Sequence, residues 1–264
     1  MAATHASDEA GHAVAVHNRD GRSALVISCD HASANLPEEY AGLGLPASEL
    51  ERHIAWDIGA LGVCEHLSAL LDAPLLHTVV SRLLLDVNRD PGAHDSIPLA
   101  SEDTPIPGNR DLSLEQRAQR QQRFYAPYHD AIAALVRDRL AAGRAIALIA
   151  VHSFTPEFKG IARPWHVGVL SHLDRRMAEP LLRALREDTG LEVGDNQPYA
   201  PSDGVYHTLD RHAEAHGRPC VMIELRNDLI RDAAGQQAWA ERLAPLLQHV
   251  SEDATAAGGA GAHR

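Results

Sequence analysis

Short apolar runs alternate along this chain with longer amphipathic segments. The first run, residues 24–29, is continuous and carries β-branched side chains, which is typical of a strand that is buried on both faces. Similar runs predict five more strands, over residues 75–80, 83–87, 145–151, 167–171 and 220–225. The pattern of hydrophobic positions therefore predicts a sheet of short, buried strands.

Five segments place apolar residues three and four positions apart, as an amphipathic helix does. The first covers residues 48–71, where Ser48 is the predicted N-cap and Glu51 its capping-box partner. The other four cover residues 114–142, 175–188, 206–216 and 236–250. Strands that alternate with helices predict an α/β fold, a three-layer sandwich in which helices flank a mostly parallel sheet.

The alternation predicts a single α/β domain over residues 23–253. Residues 1–22 lack the apolar stretch of a secretory signal, so we expect a flexible segment there. Residues 254–264 are small and polar, which predicts a disordered tail. The proline-rich residues 91–107 are expected to form a long loop within the domain, because strands and helices resume after them.

Composition excludes several classes of partner. The chain has 24 Lys and Arg against 36 Asp and Glu, a formal net charge of −12, which disfavours binding to nucleic acid or to an anionic membrane surface. The longest apolar run, residues 145–151, is too short to cross a membrane. The three cysteines are odd in number and lack CxxC spacing, so we expect reduced thiols and a cytoplasmic protein. The sequence leaves the oligomeric state open.

Polar side chains follow four of the predicted strands. In parallel sheets ligands bind beyond the carboxyl ends of the strands, so these positions are candidates for one common site. They are Asp30 and His31, Asp86 with Asn88 and Arg89, His152 with Ser153, and Glu224 with Arg226. Four such strand ends favour a functional site more than any one of them does.

Asp57 is a further candidate because of its place on the predicted first helix. At 100° per residue it shares a stripe with Leu50, Ile54 and Leu61. A carboxylate on the inward face of a helix is costly unless it is paired or bound to a metal. The sequence leaves both readings open: an ion pair to an arginine such as Arg82, or a metal ligand.

Five strings within residues 24–230 together resemble the N-formylglutamate amidohydrolase family. They are ISCDHASANLP, HIAWDIGA, SRLLLDVNRDP, VHSFTPEF and IELRNDL, and three of them are also distantly similar, in the same order, to segments of the zinc carboxypeptidases. The resemblance implies the zinc-exopeptidase/phosphorylase-like form of the α/β sandwich. It also implies one divalent metal ion, zinc, and a small carboxylate-bearing substrate.

Roles follow from the resemblance position by position. His31 and His152 would be metal ligands, and Glu224 would be the general base that activates water. Asn88 and Arg89 would bind the α-carboxylate of the substrate. Tyr206, with Tyr199 as the alternative, would be the mobile tyrosine that such enzymes keep near the site.

One position departs from the carboxypeptidase pattern. Their HxxE motif supplies a glutamate ligand, but Ala34 stands at that place here. Because a catalytic zinc usually keeps three protein ligands, a carboxylate from elsewhere must complete the set. Asp57 is the predicted third ligand, and Asp30 and Asn35 are the alternatives.

A substrate with two carboxylates calls for a second arginine, because the guanidinium fork matches a carboxylate. Arg82, Arg163 and Arg226 are the candidates, and a structural ion pair is the alternative reading of Arg226.

The leading hypothesis is a metal-dependent amidohydrolase that releases formate from N-formyl-L-glutamate or a related N-acyl amino acid. The alternatives are a deacylase or small carboxypeptidase of the same fold, and a non-catalytic relative that binds an amino acid. The hydrolase hypotheses require His31 and His152 to meet at one edge of the sheet, with Glu224 beside them.

Overall fold

A seven-stranded mixed sheet forms the centre of the protein. The structure is a computed structural model, and it describes residues 13–259. The strands are β1 (Val14–His17), β2 (Leu25–Cys29), β3 (Leu75–Thr78), β4 (Ala100–Ser101), β5 (Thr104–Pro105), β6 (Ala147–Phe154), β7 (Glu157–Phe158), β8 (Ile161–Ala162), β9 (Val167–Leu170), β10 (Val193–Asp195) and β11 (Cys220–Arg226). The sheet has the order β1-β3-β2-β6-β11-β9-β10, while β4–β5 and β7–β8 are separate hairpins.

Parallel pairing dominates the sheet and aligns its functional edge. β3, β2, β6 and β11 are parallel neighbours, whereas β1 is antiparallel to β3 and β9 is antiparallel to β11. β10 runs parallel to β9. The carboxyl ends of β2, β6 and β11 therefore lie along the same edge.

Helices cover both faces of the sheet. They are α1 (Ala47–Leu50), α2 (Ala60–Leu71), α3 (Leu114–Arg120), α4 (Ala126–Ala141), α5 (Ala178–Glu187), α6 (His207–His212) and α7 (Ala233–Gly259). Side chains of α2, α5 and α7 share one core with Leu25 and Ile27 of β2. Side chains of α4 and α6 share the other core with Val26. This alternation within β2 confirms the predicted three-layer α/β sandwich.

The predicted helix over residues 48–71 is wrong in its first half. α1 ends at Leu50 and α2 begins only at Ala60, so Asp57 lies in a turn between them. Gly59 has a φ of 82°, and a Cβ there would lie 2.1 Å from the carbonyl oxygen of Ile230. The left-handed backbone at Gly59 breaks the helix. The N-cap of α1 is Pro46, and the predicted capping box of Ser48 and Glu51 does not form.

Residues 83–87, predicted as a strand, form part of a long loop. Leu83, Leu84 and Leu85 are buried in the core that contains α4 and α6, but the backbone turns, with the Leu84 amide bonded to the Ser81 carbonyl. Apolar side chains can be buried by a loop as well as by a strand, and the hydrophobic pattern of five residues does not distinguish a buried loop from a buried strand.

The ends of the chain also differ from the predictions. Residues 14–17, within the segment expected to be flexible, form the edge strand β1, and residues 1–12 lie outside the described part. Helix α7 continues through residues 254–259 of the predicted tail, where Ala254 is buried, and the rest of that tail is not described. Between residues 13 and 259, no helix combines the length and apolar character needed to cross a bilayer.

Candidate functional site

Two strand ends and one turn bring His31, Asp57 and His152 together. His31 follows β2, and His152 is in the last part of the parallel neighbour β6. The turn before α2 is tied to the same edge because the Asp57 amide donates to the His31 carbonyl at 2.9 Å. The three side chains are buried, with residue exposures of 2–3 %. Parallel strand order thus places them where the sequence predicted a site.

The three ligand atoms form a compact triangle. His31 Nδ1 lies 3.3 Å from Asp57 Oδ2, and His152 Nδ1 lies 2.8 Å from the same oxygen. The two Nδ1 atoms are 3.2 Å apart. In a tetrahedral zinc site with bonds of about 2.0–2.1 Å, neighbouring ligand atoms lie about 3.3 Å apart. The group therefore has the size, the burial and the chemistry to bind a divalent metal ion.

Carboxylates on the far side of both imidazoles fix their orientation. Asp86 Oδ1 accepts from His31 Nε2 at 2.7 Å, and Asp30 Oδ2 accepts from His152 Nε2 at 3.1 Å. The Tyr128 hydroxyl donates to the other oxygen of Asp30 at 2.5 Å. With Nε2 of each ring donating outward, both Nδ1 atoms face Asp57 Oδ2, where either a proton or a metal ion can bind. Outward carboxylates of this kind are typical of the outer shell of metal-binding histidines.

The electrostatics of the cluster agree with a cation site. Burial disfavours the charged form of His152, but its hydrogen bonds to Asp30 and Asp57 outweigh burial and raise its pKa well above the ordinary value. Burial opposes ionisation of Asp57 as well, yet His31 and Arg82 hold the pKa of that carboxyl far below its usual range. The pocket therefore keeps Asp57 ionised and attracts positive charge.

Arg82 is a structural partner of the metal group. Its Nη1 donates to Asp57 Oδ1 at 3.0 Å and its Nη2 to Asp86 Oδ2 at 3.3 Å. The ion-pair reading of Asp57 is observed at Oδ1, and the metal-ligand reading stays a prediction for Oδ2, which faces the imidazoles. Because Arg82 already pairs with two carboxylates of the protein, it is poorly suited to bind a carboxylate of the substrate.

Glu224 lies on β11 opposite His152 of β6 in the sheet register. Its side chain is buried, and Oε2 has no hydrogen-bond partner among residues 13–259. Burial raises the pKa of Glu224 to about 7, the effect of Asp57 adding to it and that of His152 opposing it. A buried, unpaired carboxyl with a pKa near neutrality, next to a candidate metal group, is typical of a general base.

Asn88 and Arg89 bind the protein's own backbone. Asn88 Nδ2 donates to the Val205 carbonyl at 2.5 Å, and its Oδ1 accepts from the Thr208 amide at 2.9 Å. Arg89 donates to the Gly204 carbonyl and pairs with the Asp95 carboxylate at 3.0 Å. These contacts fasten the segment before α6 and occupy Asn88 Oδ1 and one of the two Nδ2 hydrogens.

The structure favours the alternative tyrosine. Tyr206 directs its hydroxyl to Cys220 Sγ at 3.6 Å, and Cys220 begins β11 while Glu224 lies near its end. The Tyr199 hydroxyl instead accepts from Arg163 at 3.1 Å. Burial and the nearby Glu224 carboxylate raise the pKa of Tyr199. Tyr199, not Tyr206, therefore lies beside the candidate base.

Arg226 is engaged elsewhere, in agreement with its structural reading. Its Nε pairs with Asp228 at 2.8 Å, and its Nη1 donates to the Pro164 carbonyl at 3.2 Å. The two alternative ligands are also placed outside the triangle. Asp30 binds the outer side of His152, and Asn35 donates weakly to the Val79 carbonyl at 3.4 Å.

A cleft of about 260 Å³ opens next to the metal group. Its lining includes Arg82, Asp86, Phe158 and Tyr199. Sequence reasoning missed the outer-shell roles of Asp86 and Tyr128. Asp86 is one of the strand-end candidates but received no role, whereas nothing in the pattern of α4 distinguishes Tyr128.

Comparison with known proteins agrees with this geometry. The family FGase, described as N-formylglutamate amidohydrolase, matches residues 23–231. A crystal structure of a gene product from Agrobacterium tumefaciens is 41 % identical, with a TM-score of 0.89 over 92 % of this chain and 96 % of that one. An N-formylglutamate amidohydrolase from Ralstonia eutropha has the same fold at 19 % identity, with a TM-score of 0.74 over 93 % of this chain and 99 % of its own. Curated proteins give no significant match.

The family match spans every element that carries the site, from the strand before His31 to the segment after Glu224. The chain therefore belongs to the N-formylglutamate amidohydrolase family and is a hydrolase that acts on amide bonds.

Proposed function

We propose that this protein hydrolyses N-formyl-L-glutamate to formate and L-glutamate, with one divalent metal ion bound by His31, Asp57 and His152. The observation that carries the proposal is the triangle of their ligand atoms, with edges of 2.8–3.3 Å, beside the unpaired carboxyl of Glu224. Two imidazoles and one carboxylate form the ligand set of many catalytic zinc sites, which supports zinc as the ion. When bound, such an ion lowers the pKa of water and polarises a carbonyl oxygen.

Glu224 performs the proton transfers in this proposal. With a pKa of about 7, close to neutral pH, its carboxylate accepts a proton from the attacking water. The water oxygen then bonds to the formyl carbon, and the C–N bond breaks as Glu224 passes that proton to the leaving nitrogen. Formate and the free amino group are the products, and Glu224 returns to its starting state.

The outer residues keep the ligands in place during this cycle. Asp86 and Asp30 hold the two imidazoles by their Nε2 atoms, so neither ring can rotate away from Asp57. Arg82 holds the second oxygen of Asp57 and so fixes the carboxylate plane. The site is assembled on strand ends, whose positions the sheet determines.

The size of the cleft favours a small substrate. Its volume of about 260 Å³ is below that of pockets which bind drug-sized ligands, about 300–1,000 Å³. This supports an N-acyl amino acid over a longer peptide. The three cysteines are free and buried, which is compatible with the cytoplasmic setting that we propose.

The test is formate release from N-formyl-L-glutamate by purified protein, before and after exhaustive chelation, with the metal content measured in the same samples. We expect activity to disappear with the metal and to return when zinc is added back. N-acetyl-L-glutamate and a glutamate dipeptide, assayed in parallel, decide between the formyl-specific enzyme and the deacylase or carboxypeptidase alternatives. Full activity in protein without metal would refute the mechanism.

A further inference from the structure

Arg163 differs from the other arginines near the site in having no carboxylate partner within the described residues. Arg82 pairs with Asp57 and Asp86, Arg89 with Asp95 at 3.0 Å, and Arg226 with Asp228. Arg163 follows strand β8 and is only 8 % exposed. A nearly buried guanidinium without a counter-charge is costly, so its retention calls for an explanation.

Aromatic rings cover the faces of the Arg163 guanidinium. Its central carbon lies 4.6 Å from the ring centre of Phe158, 4.8 Å from that of Tyr199 and 5.9 Å from that of Phe154. Such stacking stabilises the cation and fixes its plane. One side-chain N–H donates to the Tyr199 hydroxyl, and the remaining ones have no acceptor in residues 13–259. The edge of the guanidinium is therefore held rigid while its donors stay available.

The position of Arg163 connects it to the reacting region. Phe158 and Tyr199, which hold Arg163, line the cleft that also contacts Arg82 and Asp86. Tyr199 in turn lies close enough to Glu224 for that carboxylate to influence its phenol. Arg163 thus lies directly behind two cleft-lining side chains, Phe158 and Tyr199, and Tyr199 connects it to the candidate base.

We infer that Arg163 binds a carboxylate of the substrate through the open edge of its guanidinium. The inference rests on the proposed function and adds to it the group that recognises the anion. A rigid planar fork with free donors matches a carboxylate bidentately. Arg82 and the two histidines already pair with Asp57, Asp86 and Asp30, which leaves Arg163 as the arginine near the site whose charge is unpaired within the described residues.

The test compares Arg163→Gln and Arg163→Lys with the wild-type metal-loaded enzyme. For N-formyl-L-glutamate we expect Arg163→Gln to raise KM by about 10- to 100-fold while kcat stays within about threefold. Lysine keeps the charge without the fork, so it should recover only part of the affinity. Arg242→Gln is the matched control, because Arg242 also stacks on a ring, that of Trp239 at 5.2 Å, but lies on α7.

Two amide substrates identify the carboxylate that Arg163 binds. N-formyl-L-glutamine lacks the γ-carboxylate, and N-formyl-L-isoglutamine lacks the α-carboxylate. The wild-type enzyme should lose affinity for whichever compound lacks the bound group, and Arg163→Gln should show no further loss with that compound. An unchanged KM in Arg163→Gln, or equal losses with all three substrates, would overturn the inference.

The proposed function can fail separately from this inference. If the wild-type enzyme releases no formate from any N-formyl compound, calorimetric titration of the metal-loaded protein with L-glutamate and glutarate still tests Arg163. Binding that weakens by a similar factor in Arg163→Gln supports the inference. Equal binding by the variant and the wild type, or no binding by either, contradicts it. Thermal unfolding of each variant checks that the fold is intact.

Discussion

The Nδ1 atoms of His31 and His152 lie 3.2 Å apart, with the two rings nearly perpendicular at an interplanar angle of 66°. Each ring donates its Nε2 hydrogen outward, to Asp86 and Asp30 respectively. The inward-facing nitrogens converge on the ionised Asp57 Oδ2, so this point of the site binds positive charge, either a proton on an imidazole or a metal ion. This relationship is the physical basis for the metal dependence that we propose.

Glu224→Gln should abolish turnover without removing the metal. The amide cannot accept a proton, so kcat should fall by about 10²- to 10⁴-fold, the usual contribution of a general base. Metal content should stay at the wild-type level, because Glu224 does not belong to the ligand triangle. Formate release and elemental analysis measure the two effects, and Glu241→Gln, on the exposed side of α7, is the control. A variant with normal kcat would exclude Glu224 as the base.

Asp86→Asn should weaken metal binding although Asp86 is not a ligand. It accepts from His31 Nε2 and from one Arg82 nitrogen, so the substitution loosens the imidazole and removes a charge. Outer-shell changes of this kind cost about 10- to 100-fold in metal affinity. Competition with a chromophoric chelator measures the change. Asp138→Asn, which removes an exposed ion pair with Arg19, should leave the affinity unaltered.

Asn88→Ala should reduce stability more than it affects substrate binding. The substitution leaves the Val205 carbonyl and the Thr208 amide without their partner in a buried region. Each unsatisfied buried group costs about 1–3 kcal/mol, so the free energy of unfolding should fall by roughly 2 kcal/mol or more. Urea unfolding gives the value, and Asn18→Ala, at an exposed hydrogen bond, serves as the control. A raised KM with unchanged stability would contradict this and would support Asn88 as a residue that binds the substrate carboxylate.

Stability should decline with acidification because of two stacked histidines on the second face of the sheet. Burial lowers the pKa of His129 to about 4 and that of His212 to about 3. The rings share a hydrogen bond of 2.8 Å and lie in the core formed with α4 and α6. They stay neutral in the folded protein at a pH where the unfolded chain, with histidine pKa values near 6.5, already binds protons.

The unfolded state therefore binds more protons below about pH 6.5, and the free energy of unfolding should fall as the pH decreases from about 6.5 toward 4. Above pH 6.5 this stability is fully present. Urea unfolding at several pH values measures the slope, which should be shallower in His212→Gln. His249→Gln, at an exposed position of α7, should keep the wild-type slope. Parallel loss of stability in the wild type and His212→Gln would contradict the assignment.

Local patterns predicted most of the sheet but not its irregular neighbours. The apolar runs of β2, β6 and β11 are continuous, so the burial of these strands on both faces is visible in the sequence. β1 is partly exposed and β10 is three residues long, so neither has a clear pattern. Gly59 interrupts the segment predicted as one helix, and its backbone lies against Ile230, a residue far along the chain. Contacts of that kind are invisible to periodicity.

The sequence by itself determined the α/β fold and the strand ends that carry His31, His152 and Glu224, because strand patterning is local and parallel strands share one functional edge. Only the tertiary structure decided which polar side chains have hydrogen-bond partners inside the protein and which are left to bind a substrate. Asn88 finds Val205 at a separation of 117 residues, and Arg163 meets Tyr199 across 36. A side chain's availability for substrate depends on whether the fold gives it an internal partner, and such partners come from distant parts of the chain.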